Sequence, residues 1–97
     1  MSLRRINPKR DRCEPAIVAA LNQAGAVTYR LSAADLPDLL VGYRGKYLLL
    51  ECKSAKAKLE PGQEAFHATQ RALNLPCFVV RSVCEALEVL GLTGNSQ

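Results

Sequence analysis

The stretch PDLLVGYRGKYLLLECK, residues 37–53, decides the fold of this chain. It holds two apolar runs, at 38–43 and 46–53, on either side of the turn dipeptide Arg44-Gly45. Such a pattern is typical of two antiparallel strands joined by a tight hairpin. The parity of the loop then fixes which residues face each other, because a slip of one residue turns every side chain to the opposite face.

A hairpin loop of two or four residues places Asp38 directly opposite Glu51, with Lys53 one step further along the same face. Two opposed carboxylates repel each other unless a cation lies between them. Mg²⁺ is the natural candidate, because it binds carboxylate oxygens, backbone carbonyls and water, and the carbonyl of Cys52 is within reach. The alternative for a Glu-x-Lys pair taken alone is a strand end that carries a salt bridge.

The rest of the chain predicts three helices and two further strands around this hairpin. The order α-β-β-β-α-β-α favours an α/β fold with a mixed sheet flanked by helices. The last strand would be central and would join the sheet through a helical crossover. The predicted helices lie at 12–24, 61–73 and 83–90, and the additional strands at 26–31 and 77–81.

Capping and periodicity predict the ends and the inner faces of these helices. Asp11 or Asn7 would cap the first helix, and Ser82 with Glu85 would form a capping box at the third. The residues expected to face inward are Cys13, Ala16, Ile17, Ala20, Leu21 and Ala24 in the first helix, Phe66, Thr69 and Leu73 in the second, and Val83, Ala86, Leu87 and Leu90 in the third.

Net charge is concentrated at the N-terminal end. The 97 residues suit one small domain, and 13 Lys and Arg against nine Asp and Glu give a net charge of +4. Residues 1–12 hold five bases and one acid, while the bases and acids of residues 13–97 balance. A basic arm favours a polyanionic partner such as nucleic acid, although a solvated tail is the commoner outcome.

Several classes of protein are excluded at this stage. The chain has no apolar run of about 18 residues and no signal-peptide pattern, so we expect no membrane contact and a cytoplasmic location. The four cysteines lie far apart without a CxxC pair, which argues against a zinc site and indicates small buried hydrophobic residues. The five aromatic residues do not form a stacking array, so nucleic-acid recognition would depend on phosphate contacts and shape.

The pattern PD-x12-ExK resembles the PD-(D/E)xK nuclease superfamily. With LEPGQ at 59–63, RDRCEPAIVAALNQAGA at 10–26 and FVVRSVCEALEVLG at 78–91, the chain is similar to the small stand-alone VRR-NUC nucleases of phages and bacteria. The resemblance implies a restriction-endonuclease-like core. It divides the chain into a basic arm at 1–9, a VRR-NUC nuclease domain at 10–91 and a flexible tail at 92–97.

The resemblance also implies a metal-dependent endodeoxyribonuclease and a role for each motif residue. Asp38, Glu51 and the Cys52 carbonyl would hold Mg²⁺, for which Mn²⁺ could substitute, and Lys53 would orient the attacking water or stabilise charge on the phosphate. Glu14 would approach the metal directly or through water; the alternative is a carboxylate favoured by its helix N-terminus. Gln63 would contact a metal-bound water or the phosphate; the alternative is an exposed helix residue.

Other residues carry weaker expectations. Arg10, Arg12, Lys56 and Lys58 would bind the DNA backbone, with a solvated loop nearly as good an interpretation for the two lysines. His67 is interpreted as an ordinary helix histidine. Cys52 stands where the family usually has a small aliphatic residue, and we expect no effect on chemistry.

The resemblance also implies a homodimer that cuts branched DNA such as Holliday junctions, and we expect it in the bacterial cytoplasm, or in the host cytoplasm if phage-encoded. The alternatives are a nicking or flap nuclease, a catalytically silent DNA-binding module with the same fold, and a plain structural domain.

Overall fold

A computed structural model describes residues 11–92 of the chain. The predicted order of elements is confirmed. The predicted arm at 1–9, Arg10, Asn7 and the tail from residue 93 lie outside the described residues. The elements are α1 (Glu14–Gln23), β1 (Val27–Arg30), β2 (Leu39–Tyr43), β3 (Lys46–Cys52), α2 (Pro61–Ala72), β4 (Cys77–Val80) and α3 (Val83–Val89). None of these helices is long and apolar enough to cross a membrane.

The hairpin of β2 and β3 has the predicted register. Leu39 pairs with Leu50, and Tyr43 pairs with Lys46 across a two-residue turn. Arg44 and Gly45 in that turn both have positive φ angles, 51° and 81°. Both central residues of a type I′ turn require this conformation, and such a turn matches the twist of the strands it joins.

The four strands form one mixed sheet in the order β1-β2-β3-β4. The first two pairings are antiparallel, and β4 runs parallel to β3 after the α2 crossover, as predicted. The expectation that β4 is central is wrong, because β4 lies at the edge and Phe78 in it is 40% exposed. After β4 the chain enters α3, and no later strand within residues 11–92 covers that edge.

The hydrophobic core lies on the face of the sheet that α1 and α3 cover. Both helices contact each other, and they pack against β1 and β4 respectively. The fully buried core residues are Ile17, Leu21, Ala26, Leu39, Val41, Leu50, Cys52, Val80 and Ala86. Because side chains alternate along a strand, Glu51 points to the opposite face, where α2 lies over the β3–β4 end of the sheet.

Two helices bury different residues from those the periodicity predicts. In α1, Ala16 is exposed while Glu14 at the first position is fully buried. In α2, Thr69 and Leu73 are exposed and His67 is buried instead. The reason for α2 is its position, because a helix over one end of a sheet turns only a narrow stripe toward the protein.

Three predicted local features also need correction. Asp11 does not cap α1 through its side chain: Cys13 is the N-cap residue without a side-chain bond, and Oδ1 of Asp11 accepts a 2.9 Å hydrogen bond from the Ser54 amide. The four cysteines are free, but the expectation that they are buried holds for Cys52 alone: Cys13 and Cys77 are half-buried and Cys84 is exposed. Ser82 caps α3 by accepting from the Glu85 amide at 3.1 Å, but the Glu85 side chain accepts from the Arg81 amide at 2.7 Å and not from that of Ser82, so only half of the predicted capping box forms.

Candidate active site

The candidate site lies where β2 begins and β3 ends. Oδ2 of Asp38 accepts a 2.7 Å hydrogen bond from the backbone amide of Cys52 on the neighbouring strand. The carboxyl group of Asp38 lies close enough to that of Glu51 to raise the pKa of Glu51 through its charge and hydrogen-bonding, after the larger effect of burial. The hairpin register therefore brings together the two acidic side chains that the sequence placed opposite each other.

Glu51 is a buried acid with one partnered and one unpartnered oxygen. Its side chain is about 1% exposed, and Nε2 of Gln63 donates to Oε2 at 3.2 Å. Oε1 has no hydrogen-bond partner among residues 11–92. Burial, then the charge and hydrogen bond of Asp38, raise the pKa of Glu51 to about 8. The carboxyl pair therefore holds a proton at neutral pH when no cation is bound.

Gln63 is oriented by the start of α2. Its side-chain Oε1 accepts from the Glu60 amide at 2.8 Å, while its own backbone N–H donates to the Glu60 side chain, which completes a capping box. With the oxygen held there, the amide nitrogen can only face Glu51. The expectation that Gln63 belongs to the site is consistent with this contact, which is to a carboxylate.

Lys53 follows Glu51 by two residues and is half-buried on the same face of β3. Its positive charge lowers the pKa of Glu51 and so partly offsets the effect of Asp38. Within residues 11–92, the basic side chain within 4.0 Å of the Glu51 carboxyl group is that of His67, at 3.9 Å, and not that of Lys53. The salt-bridge interpretation of the Glu-x-Lys pair therefore has no contact to support it.

Glu14 approaches the site from α1. Its carboxylate is buried and pairs with Nε of Arg30 at 3.1 Å. One oxygen of Glu14, one of Asp38 and Sγ of Cys52 all lie within 4.8 Å of one another. Burial, then the charges of Asp38 and Glu14, raise the pKa of the Cys52 thiol, so it is protonated here.

These donors fit a hard divalent cation. Carboxylate oxygens of Glu14 and Asp38 converge with Sγ of Cys52, while Glu51 lies beside Asp38 outside that cluster. The buried Oε1 of Glu51 lacks the hydrogen bond that a buried acceptor needs. A cation would offset the burial and the negative charge of Asp38 that raise the pKa of Glu51. The structure gives the amide of Cys52, and not its carbonyl, as the group that touches Asp38.

The predicted DNA-binding residues do not cluster at the carboxyl groups of the candidate site. Arg12, Lys56 and Lys58 are exposed, and the two lysines lie in the loop between β3 and α2. Arg81 contacts that loop: its Nη1 donates to the carbonyls of Ser54 at 2.8 Å and Ala57 at 2.7 Å.

Sequence reasoning missed the role of His67. It is about 5% exposed, with Nε2 at 3.9 Å from Oε1 of Glu51 and Nδ1 at 3.4 Å from Sγ of Cys77. Burial, then the charge of Arg71, lower the pKa of His67, so the ring is neutral at pH 7. The available signal was its place four residues after Gln63 on the same helix face.

Comparison with solved structures gives a match that bears on the fold. No family model matches the sequence, and no curated protein matches it either. A solved structure described as a VRR_NUC domain superposes with a TM-score of 0.70 and 25% sequence identity, over 82% of this chain and 91% of that one. The structure supports assignment to the VRR-NUC family. The VRR-NUC neighbour has a restriction-endonuclease-like fold, which confirms the predicted fold class and supports a nuclease-type function.

Proposed function

We propose that this chain is a divalent-metal-dependent DNA endonuclease that hydrolyses phosphodiester bonds. The observation that carries the proposal is the contact between the carboxyl groups of Asp38 and Glu51, held on adjacent strands with Lys53 beside them. Placing the buried Glu51 beside the half-buried Asp38 raises the cost of ionising Glu51, and a bound cation would offset that cost. The nuclease domain would span residues 10–91 and act in the cytoplasm.

The proposed metal ligands are Asp38, Glu51 and the carbonyl of Cys52, with Glu14 ligating directly or through water. Mg²⁺ suits this oxygen-rich set, and Mn²⁺ would substitute for it. When bound, the cation would polarise the scissile phosphate and make a water molecule more acidic.

The protein's own groups would position the reactants. Lys53 would orient the attacking water or stabilise negative charge on the phosphate, because it follows Glu51 by two residues and its charge acts on that carboxyl group. Gln63 would hold Oε2 of Glu51 in place, since its amide is already fixed by the capping box. The hydrogen bond from Cys52 would do the same for Asp38.

The DNA backbone would be bound beside this site. Arg10 and Arg12 precede α1, which carries Glu14, and Lys56 and Lys58 follow the strand that carries Glu51. Arg81 anchors the loop that carries the two lysines, because it donates hydrogen bonds to the carbonyls of Ser54 and Ala57. These contacts would supply affinity without sequence preference, as phosphate contacts do.

The proposed enzyme is a homodimer that selects branched DNA, such as a Holliday junction. An open apolar area on the sheet face opposite the core supports a dimer. The area is defined by Val27, Tyr29, Leu40, Tyr47 and Leu49; the register aligns them across β1, β2 and β3, and Tyr47 is 61% exposed. Two copies joined there would make two cuts related by symmetry.

Cleavage assays test the activity. The purified chain is incubated with a four-way junction, a flap and a linear duplex, each with Mg²⁺, Mn²⁺ or EDTA. We expect metal-dependent cutting, strongest on the junction, which Lys53→Ala abolishes and Lys46→Ala at the exposed start of β3 preserves. Stronger cutting of the flap would favour a flap nuclease, and single-strand breaks in the duplex a nicking enzyme. Binding without cutting in either metal would favour a silent DNA-binding module, and neither activity would leave a structural domain.

Light scattering after size-exclusion chromatography tests the dimer. The native chain should elute at twice its monomer mass of 10.6 kDa, and Tyr47→Glu should convert it to a monomer. Ala19→Glu, on the exposed side of α1, is the matched control and should leave the dimer intact. A native monomer at all concentrations would contradict this part of the proposal.

A further inference from the structure

One buried oxygen at the candidate site lacks a partner, and one buried imidazole lies next to it. Oε1 of Glu51 has no hydrogen bond within residues 11–92, and Nε2 of His67 is 3.9 Å away. Both side chains are almost completely buried. An unmade hydrogen bond at a buried charged group is costly, so such a pair requires an explanation.

A single face of α2 presents both groups that approach Glu51. Gln63 and His67 are four residues apart, which places their side chains one above the other on a helix. Gln63 donates to Oε2 at 3.2 Å, and His67 lies beside Oε1. The helix therefore offers one nitrogen to each oxygen of the carboxylate.

The other surroundings of the His67 ring do not offer an equally strong acceptor. Sγ of Cys77 lies 3.4 Å from Nδ1 and 4.0 Å from Nε2, and the ring of Phe66 meets the imidazole edge-on at 6.3 Å. A thiol is a weak partner in either direction. An N–H on Nε2 would have the carboxylate as its acceptor, whereas an N–H on Nδ1 would have the sulfur.

The separation of 3.9 Å is longer than a hydrogen bond. Contacts in active sites without substrate are commonly long and tighten when the site is loaded. Small rotations of the two side chains that bring Nε2 of His67 and Oε1 of Glu51 about 1 Å closer would place them at hydrogen-bond distance.

We propose that His67 is a positioning residue that donates from Nε2–H to Oε1 of Glu51. Together with Gln63 it fixes the orientation of this carboxylate from both sides. The consequence for metal binding rests on the proposed function, in which Glu51 is a ligand. The hydrogen bond between His67 and Glu51 does not depend on the proposed function.

The contact can be tested on the metal-free full chain by long-range ¹H–¹⁵N NMR. His67 is the only histidine in the sequence, so its two ring nitrogens are assigned without ambiguity. We expect the Nε2–H tautomer at pH 9, where Glu51 is ionised because its pKa is about 8, and a clear change of the Nε2–H signal in Glu51→Gln. Glu64→Gln, an exposed acid on the same helix, is the control and should leave the signal unchanged. An Nδ1–H tautomer, or identical spectra for Glu51→Gln and the native chain, would overturn the proposal.

The positioning role is tested by Mn²⁺ affinity, measured by calorimetry. Loss of a residue that orients a metal ligand typically weakens binding by about 10–100-fold, which we expect for His67→Leu. His67→Gln keeps a donor near the position of Nε2 and should restore most of the affinity. Both variants should bind DNA as the native chain does, because His67 is buried away from the phosphates. Native Mn²⁺ affinity in His67→Leu would overturn the positioning role.

The two proposals fail in different ways. If the native chain neither binds metal nor cuts DNA while NMR reveals the contact, the proposed nuclease function is wrong and the His67–Glu51 bond stands. If the chain cuts DNA but the NMR spectra show no contact, the function stands and His67 has no positioning role.

Discussion

The backbone amide of Cys52 holds the carboxylate of Asp38 by a 2.7 Å hydrogen bond that links the end of β3 to the start of β2. The acid is thereby fixed by a neighbouring strand and not by its own rotamer preference. This bond separates two properties of Asp38 that mutation usually removes together: its charge and its structural contact.

Asp38→Asn should therefore abolish activity without unfolding the protein. The amide side chain keeps an oxygen that can accept from Cys52, but it loses the negative charge that the proposed metal needs. We expect cleavage to fall by more than about 100-fold, beyond the usual effect of residues around a metal ligand. Circular dichroism and thermal unfolding should stay close to the native values. Cleavage at the native rate would remove Asp38 from the proposed site.

The stability of the metal-free protein should decrease as the pH rises from 6.5 to 8. The pKa of Glu51 is raised to about 8 in the folded state from 4.5, so in this range the folded chain holds a proton that the unfolded chain has released. Each pH unit then lowers the free energy of unfolding by at most about 1.4 kcal/mol. We expect a total loss of about 1.5 kcal/mol over the range.

Urea denaturation in EDTA measures this effect, and Glu51→Gln should flatten the pH dependence. The contribution of His67 to the pH dependence of stability has the opposite sign, because its lowered pKa favours the neutral ring in the folded state. That contribution falls mainly below pH 6.5. Mg²⁺ should recover the lost stability at pH 8, since the cation replaces the proton. A native stability that rises between pH 6.5 and 8 would contradict the assignment of the buried proton to Glu51.

Arg81→Lys should loosen the loop between β3 and α2. The guanidinium makes two hydrogen bonds to loop carbonyls, and a lysine cannot make both in the same geometry. Loss of about 1 kcal/mol would raise the open population of the loop about fivefold. Trypsin should then cleave faster after Lys56 and Lys58. Arg71→Lys on the exposed side of α2 is the control, and equal cleavage rates in the two variants would argue against the anchor.

Gly62 and Asp35 should be energetically coupled. A Cβ at Gly62 would overlap the Asp35 carboxylate, which lies against the first turn of α2. In Asp35→Gly, which tolerates the positive φ of 70° there, Gly62→Ala should stabilise the protein by up to about 1 kcal/mol through helix propensity. In the protein that keeps Asp35, the stabilisation by Gly62→Ala should be smaller by at least about 0.5 kcal/mol. Thermal unfolding of the four proteins measures this cycle, and simple additivity would refute the contact.

The hairpin could be predicted because its information is local. A two-residue turn with glycine at its second position and alternating side chains on both strands leave one register, and that register places Asp38 beside Glu51. The position of β4 could not be predicted in this way. An apolar run of four residues suits both a central strand and an edge strand, and the order in the sheet depends on where the crossover helix lands.

The candidate site, too, could be predicted only where its residues are close in sequence. Asp38, Glu51 and Lys53 lie on one hairpin, so sequence spacing was enough to group them, whereas Glu14 and Gln63 lie at the starts of two helices and were assigned from the family resemblance. His67 was missed because its neighbours Glu51 and Cys77 belong to two different strands. Leu73 was placed inside on hydropathy, yet it is 62% exposed, since the sheet does not extend beneath that end of α2.

The turn of Arg44 and Gly45 also restricts how the chain can change in length. With an unbulged ladder, adding one residue to the turn would send the side chain facing Asp38 to the opposite surface, whereas adding two would lengthen the hairpin and keep the pairing. Insertions between the two acids should therefore be tolerated in pairs. A peptide tag or a reporter placed in this turn needs an even number of residues, although the turn is remote from the acids it aligns.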